Sequence, residues 1–281
     1  MAFVNDYKFM DIFNAIDLHT GAFVIKSRIY VGSSFNGGTA DYGQCQKRVF
    51  NTERLSLLIM IPDPGMQYPS VPGYVYNEND AEFGYIVHGT QELSYPDGKK
   101  YVAGPGTCFK HEKGQPHRMC GIVEELGATT VVFYTNFVNE VSRAHWPEDK
   151  PYDKKNNYKV FNSADIATLK GSNPLMEEKV ITESNKLCVV DVMMKPRCCI
   201  PEKGFITNSV DQIILVLSGN GIAVYPDKCY NMKEGHAAYH SAGQPYNYIN
   251  AGSDDLHMLV AYSADKLSDV ERKVVHVSNM I

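Results

Sequence analysis

The chain has 281 residues, 44% hydrophobic and 21% charged, with a formal net charge of −5. That balance predicts a packed core rather than a disordered chain, and the lack of clustered Lys and Arg argues against a nucleic-acid partner. No apolar run approaches membrane-spanning length, and Met1-Ala2-Phe3-Val4-Asn5-Asp6 lacks the basic-then-apolar profile of a secretory leader.

Seven cysteines, an odd number with no CxxC pair, fit reduced thiols, so a cytoplasmic location is expected. Adjacent Cys198 and Cys199 read as ordinary small, semi-apolar side chains.

The first fifty residues contain two strand-like runs, Ala22 to Ile25 and Arg28 to Val31. They are expected to extend a sheet or to reach a neighbouring subunit. An internal repeat then begins. Glu82-Phe-Gly-Tyr-Ile-Val-His-Gly89 faces Gln212-Ile-Ile-Leu-Val-Leu-Ser-Gly219, and Tyr95-Pro96-Asp97 faces Tyr225-Pro226-Asp227. Further on, Gly106 through His111 to Gly114-Gln115-Pro116-His117 recurs as Gly235 through His240 to Gly243-Gln244-Pro245-Tyr246, and the run ending at Tyr134 recurs as the run ending at Tyr262. This ordered series indicates duplication.

Each copy consists of short β-branched and aromatic runs separated by Gly, Pro, Asn and Asp, the pattern of strands joined by tight turns. Strand follows strand without helical periodicity, which predicts antiparallel sheets closed or packed on one another. The polar, proline-bearing stretch from Trp146 to Asn157 separates the copies. Leu267, Val270 and Val274 fall at helical spacing and predict a short C-terminal helix. The expected organisation is an N-terminal domain at 1–145 with its extension, a linker at 146–158 and a C-terminal domain at 159–281.

These motifs resemble those of the cupin superfamily, once per half. The first cupin motif has two histidines one residue apart, then a glutamate and an apolar run to glycine, and Glu82 to Gly89 matches its second half. The second motif runs from glycine to a metal-binding histidine, and Gly106 to His117 matches it, with Glu112 where a proline is usual. The resemblance implies an all-β fold of tandem antiparallel jelly-roll barrels. Tyr76 and Glu78 then occupy the two histidine positions of the first copy. The second copy holds Ile206, Asn208, Gln212 and Tyr246 at the four ligand positions, so its metal site is expected to be lost.

The resemblance thus implies Glu78, Glu82 and His117 as metal ligands in the first barrel. Two carboxylates and one imidazole form a hard donor set that suits manganese or zinc, with iron and nickel as further options. His88, His111 and Tyr76 are the candidate catalytic groups, the histidines as proton carriers and Tyr76 as a pocket wall or fourth ligand. His111 recurs as His240 in the copy without ligands, which equally suits a structural role. The expected activity is that of a metal-dependent hydrolase or isomerase acting on a small carbonyl compound (a keto acid, cyclic diketone or oxidised sugar) by Lewis-acid activation. A quercetinase-like dioxygenase and a non-catalytic binding bicupin are the alternatives. A small-molecule substrate and a homo-oligomer, dimer or higher, complete the expectation.

Overall fold

The computed structural model describes residues 6–12, 16–17, 29–30, 44–62, 65, 67–69, 71–122, 128–136, 143–153, 155–169 and 173–276. These fold into two compact units, one of residues 25–165 and one that joins 1–24 to 166–281.

The first unit has a seven-stranded sheet with order Tyr158–Asn162, Thr107–His111, Glu82–His88, Thr129–Tyr134, Ser56–Pro62, Gln44–Asn51 and Ile29–Tyr30. A four-stranded sheet (Lys100–Ala103, Gln91–Ser94, Arg118–Gly121, Gln67–Tyr68) and a two-stranded one (Arg143–Trp146, Tyr74–Asn77) complete it. All pairings are antiparallel. The second unit repeats this plan. Its sheets run Met176–Ser184, Leu187–Met194, Leu256–Tyr262, Gln212–Ser218, His236–His240, Tyr7–Asp11 and Ile16–Asp17; then Cys199–Ile200, Asn247–Ile249, Asn220–Val224 and Cys229–Lys233; then Phe205–Asn208 with Arg272–Val275. Each unit is an antiparallel jelly-roll barrel.

The domain boundaries differ from those expected, and strand pairing explains why. Tyr158–Asn162 precedes the second barrel in the chain, yet it pairs with Thr107–His111 of the first. Tyr7–Asp11, with the related sequence Tyr-Lys-Phe-Met-Asp, pairs with His236–His240 of the second. Each copy therefore begins with a strand that completes the other barrel. The two attachments match in detail. Tyr158 stacks on Tyr95 at 3.5 Å and bonds Asp97, while Tyr7 stacks on Tyr225 at 3.8 Å and bonds Asp227. The backbone N–H groups of Asn157 and Asp6 donate to Gln115 and Gln244, each at 2.6 Å. The recurring Gly-Gln-Pro thus anchors the incoming strand.

The expected C-terminal helix is absent. Leu267–Asp269 forms one 3₁₀ turn, and Arg272–Val275 is a strand against Phe205–Asn208. Val270 is buried but Val274 is 55% exposed, so the helical spacing has no continuous apolar face to bury. Ser268, Asp269 and the β-branched valines are also weak helix formers. Of the two early runs, Ile29–Tyr30 pairs with Gln44–Asn51, and residues 22–25 lie outside those described. The Tyr95–Gly98 turn forms as expected, with the Gly98 N–H donating to the Tyr95 carbonyl and Gly98 at φ +82°. Cys108, Cys120, Cys188, Cys198, Cys199 and Cys229 are free thiols. Among the described residues, no helix is long and apolar enough to cross a membrane.

Alternation along the central strands of the first barrel aims the site. Ile86, Phe109, Val132 and Tyr134 belong to one buried apolar cluster. Glu82 has the same parity as Ile86, and His111 the same as Phe109, so both point inward with Tyr134. Gly84 makes room for Phe109, because a Cβ there would lie 2.0 Å from that ring. The Phe109 ring stacks in turn on His111 at 4.9 Å, fixing the imidazole plane.

Candidate metal centre

Glu82, His111 and His117 converge inside the first barrel, each offering a donor atom within 4.8 Å of the others. All three are buried, with 4%, 1% and 3% of their surface exposed. His111 is brought to Glu82 by direct strand pairing. His117 arrives from the other side, where it bridges to Val75.

The two oxygens of Glu82 have separate partners. Oε2 accepts from Asn77 Nδ2 at 3.0 Å and from the Tyr134 hydroxyl. Oε1 faces both imidazoles, with His111 Nδ1 at 2.7 Å and His117 Nε2 at 3.0 Å. Burial alone would raise the Glu82 carboxyl pKa, but the positive charge beside it at His117 and hydrogen bonds from both rings hold it well below the usual range. Glu82 is therefore a carboxylate. Burial pushes the His111 imidazole down to about 4, so it is neutral at pH 7. Its Nε2 lies 2.9 Å from the Tyr95 hydroxyl, and burial keeps that phenol protonated. A phenol donates or accepts, so Tyr95 supports either His111 tautomer.

His117 is more constrained. Its Nδ1 lies 3.0 Å from the Gln115 carbonyl, an acceptor only, so Nδ1 must carry its proton. The neutral ring then turns a bare Nε2 lone pair toward Glu82 Oε1, which is also an acceptor. Something positive belongs between them: a proton on Nε2 or a metal cation. The spacing suits a cation, since neighbouring ligands of an octahedral ion with ~2.1 Å bonds lie roughly 3 Å apart. One carboxylate and two imidazoles suit Mn, Fe or Zn. Asn77, Tyr134, Tyr95 and the Gln115 carbonyl hold the donors in orientation, as outer partners do in metal sites.

The expected residues fall into two groups. Glu82 and His117 stand in the cluster, and His111, expected as a proton carrier or a structural group, takes its third corner. Glu78 does not reach it, being exposed beyond the end of the Tyr74–Asn77 strand. Asn77 occupies the corresponding place: its carbonyl accepts from Gly114 as that of Asn208 accepts from Gly243, and both amides bond the residue at the glutamate position. Asn77 precedes Glu82 by five residues and Asn208 precedes Gln212 by four. The extra residue shifted the expected register by one. Tyr76 therefore has the parity opposite to Asn77, and its ring meets Trp146 edge-on at 6.3 Å, so it neither ligates nor lines the cluster. His88 is exposed at the far end of its strand, six residues and roughly 20 Å from Glu82 at ~3.3 Å per residue. Sequence reasoning missed Asn77, Tyr95 and Tyr134, although both tyrosines recur as Tyr225 and Tyr262.

The second barrel presents uncharged counterparts. Gln212 replaces Glu82 and Tyr246 replaces His117, while His240 stacks on Tyr246 at 4.4 Å. Asn208 Nδ2 donates to Gln212 Oε1 at 2.6 Å and to the Tyr246 hydroxyl at 2.9 Å. No group of metal-ligating side chains forms there among the described residues.

No protein-family model and no curated protein matches the sequence. Solved structures do match the fold. The Bacillus subtilis oxalate decarboxylase, in a structure concerned with its Mn(II) centres, is 12% identical with a TM-score of 0.57, over 84% of this chain and 76% of that one. The Lactobacillus farciminis oxalate decarboxylase in complex with formate is 11% identical with a TM-score of 0.56, over 83% of this chain and 84% of that one.

Proposed function

We propose that the first barrel holds one divalent cation, of the manganese type, through Glu82, His111 and His117, and acts on a small carboxylic acid. The observation that carries this reading is the convergence of the Glu82, His111 and His117 donor atoms within 4.8 Å of one another inside the barrel. A dication balanced by one carboxylate leaves a net charge of +1, which favours an anionic oxygen ligand. When bound, the metal supplies Lewis-acid polarisation of that oxygen. Asn77 and Tyr134 hold the Glu82 carboxylate by Oε2 and leave Oε1 for the cation. Tyr95 holds the His111 ring through Nε2, and the buried walls exclude bulk water.

Decarboxylation fits this site better than the hydrolysis or isomerisation expected from sequence. Hydrolysis consumes water, and the cluster is at most 4% exposed. Loss of CO₂ leaves the electron pair of the broken C–C bond on the remaining fragment, which needs only one proton. The two solved structures described above are oxalate decarboxylases, which agrees with a small carboxylic acid as substrate class. A dioxygenase has less support, because the three-imidazole set of that branch is not present.

The test is elemental analysis combined with CO₂ release from oxalate and small keto acids. About one equivalent of metal is expected, with CO₂ release that chelation removes and Mn(II) restores. Folded protein without metal, or release that chelation leaves untouched, refutes the reading.

A further inference from the structure

The second barrel contains a cavity at the place that corresponds to the metal centre of the first. The first sets Phe109 across from Gly84, whereas the second sets Ala238 across from Ile214, and Ile214 borders a cavity. That cavity contains about 380 Å³ of empty space, the solvent at its mouth included. Its walls are mostly apolar, with Val192, Met176, Met258 and Ile214 among them, and Gln212, Tyr246 and Tyr262 supply polar groups from the positions of Glu82, His117 and Tyr134.

The hydrogen bonding of the two phenols decides what the cavity can recognise. Tyr246 accepts from Asn208 at 2.9 Å. Tyr262 accepts from Arg272 at 2.8 Å and from Gln212 at 3.4 Å. Burial pushes both phenols above their ordinary pKa, so each keeps a proton, and the Tyr246 hydroxyl also lies within hydrogen-bonding reach of the Gln212 amide. Two buried hydroxyls therefore border one apolar cavity, each able to turn its proton toward a ligand oxygen. The charged lining cancels, since Arg272 pairs with Glu178 at 3.4 Å. An anion would enter without a net positive charge to offset its lost hydration.

We propose that the second barrel is a metal-free binding pocket for a small, uncharged carbonyl compound, its oxygen accepting from Tyr246 and Tyr262 and its hydrocarbon part lying against Val192, Ile214, Met176 and Met258. The duplicated barrel has kept its inward-facing geometry and exchanged a metal's ligands for hydrogen-bond donors. The pocket does not rest on the metal reading of the first barrel, and its test is run in excess EDTA.

The experiment uses the full chain with methyl-¹³C methionine and titrates cyclohexanone, with cyclohexanecarboxylate at pH 7 as the charged comparator. Saturable shifts are expected at Met176 and Met258, with no shift at Met60 and Met119 of the first barrel. Tyr262→Phe should weaken binding about fivefold, the effect of one lost hydrogen bond. Val192→Phe, which fills the cavity, should abolish it. Should Val192→Phe fail to fold, Tyr262→Phe and Tyr246→Phe keep the test, because each removes one donor and little volume. No saturation up to the solubility limit, equal shifts in both barrels, tighter binding of the carboxylate, or affinity unchanged in both Phe variants overturns the proposal.

Discussion

His117 Nε2 lies 3.0 Å from Glu82 Oε1 while its Nδ1 faces the Gln115 carbonyl at the same distance, so one imidazole is held between two acceptors. The second barrel relieves the same position by substitution, with Tyr246 for the histidine and Gln212 for the glutamate. Gln212 already shows that an amide fits this place: its Oε1 accepts from Asn208 and its Nε2 donates to Tyr262. Glu82→Gln should therefore fold, with Asn77 and Tyr134 taking the corresponding roles, and should fail to hold a cation. The expected outcome is loss of most bound metal and a melting temperature equal to that of chelated wild type, because binding to the folded state alone adds stability. Mass spectrometry of the metal and calorimetry measure both. A full equivalent of metal in Glu82→Gln would remove Glu82 from the ligand set.

Tyr134→Phe deletes one donor to the far oxygen of the carboxylate and leaves the three proposed ligands in place. Metal affinity should fall by about tenfold or more, the usual consequence of losing an outer partner, while the buried aromatic packing is kept. Tyr262→Phe at the equivalent position of the second barrel should leave metal content unchanged. A competitive chelator titration of both variants would show equal affinities if the site had been assigned to the wrong barrel.

Glu78 and Asn77 test the register. Glu78 is exposed and Asn77 is 5% exposed with its amide on Glu82. Glu78→Gln should change stability by less than about 0.5 kcal/mol and leave metal binding intact. Asn77→Ala strips a hydrogen bond from a buried carboxylate and should cost about 1.5–3 kcal/mol. Urea unfolding of the two variants separates these outcomes.

That contrast shows what could be read from the residues alone. The duplicated barrel was visible because its glycines, Gly-Gln-Pro and Tyr-Pro-Asp recur in order, and each does a local job that tolerates little else. Glu82 and His117 do not recur, and were visible because they fall at the ligand positions of the motif that the first copy resembles. The third corner was not. Counting back from Glu82 assumes a fixed loop length, and one extra residue between Asn77 and Glu82 moved Glu78 into the place of Asn77. The recurrence of His111 as His240 suggested a structural role, yet the same inward position serves a carboxylate cluster in one barrel and a tyrosine pair in the other. The exchanged strands escaped notice because Tyr7–Asp11 and Tyr158–Asn162 pair far from their sequence neighbours, a fact no local pattern records.

Phe9 reports on that exchange. It lies near the start of the chain, where truncation is commonly harmless, yet it is 1% exposed, with its ring at 4.8 Å from Tyr230 and edge-on to His236 at 5.6 Å. Phe9→Ala should cost about 3–5 kcal/mol, as for a buried core aromatic, and Lys8→Ala, one residue away and exposed, less than about 0.5 kcal/mol. Denaturant midpoints followed by circular dichroism distinguish the two, and similar small losses would mean that the first strand is not part of the second barrel in solution.

His240 sets an acid limit on the second barrel. Burial pushes its imidazole down to about 3, from an ordinary value of about 6.5. Its Nε2 lies 2.9 Å and 3.2 Å from the hydroxyls of Tyr225 and Tyr248, both able to donate to a neutral ring. Between those two pKa values the unfolded chain binds a proton that the folded chain does not, so unfolding takes up protons and acid favours it. The stability from this residue is complete above pH 6.5 and is lost as pH falls toward 3, by at most about 1.4 kcal/mol per pH unit. His240→Phe keeps a ring against Tyr246 but cannot titrate. It should be less stable at neutral pH, where two hydroxyls lose their acceptor, and its stability should fall less steeply with acid. Unfolding free energies measured from pH 7 to pH 4 give both slopes, and parallel curves would show that His240 takes up its proton without unfolding the barrel.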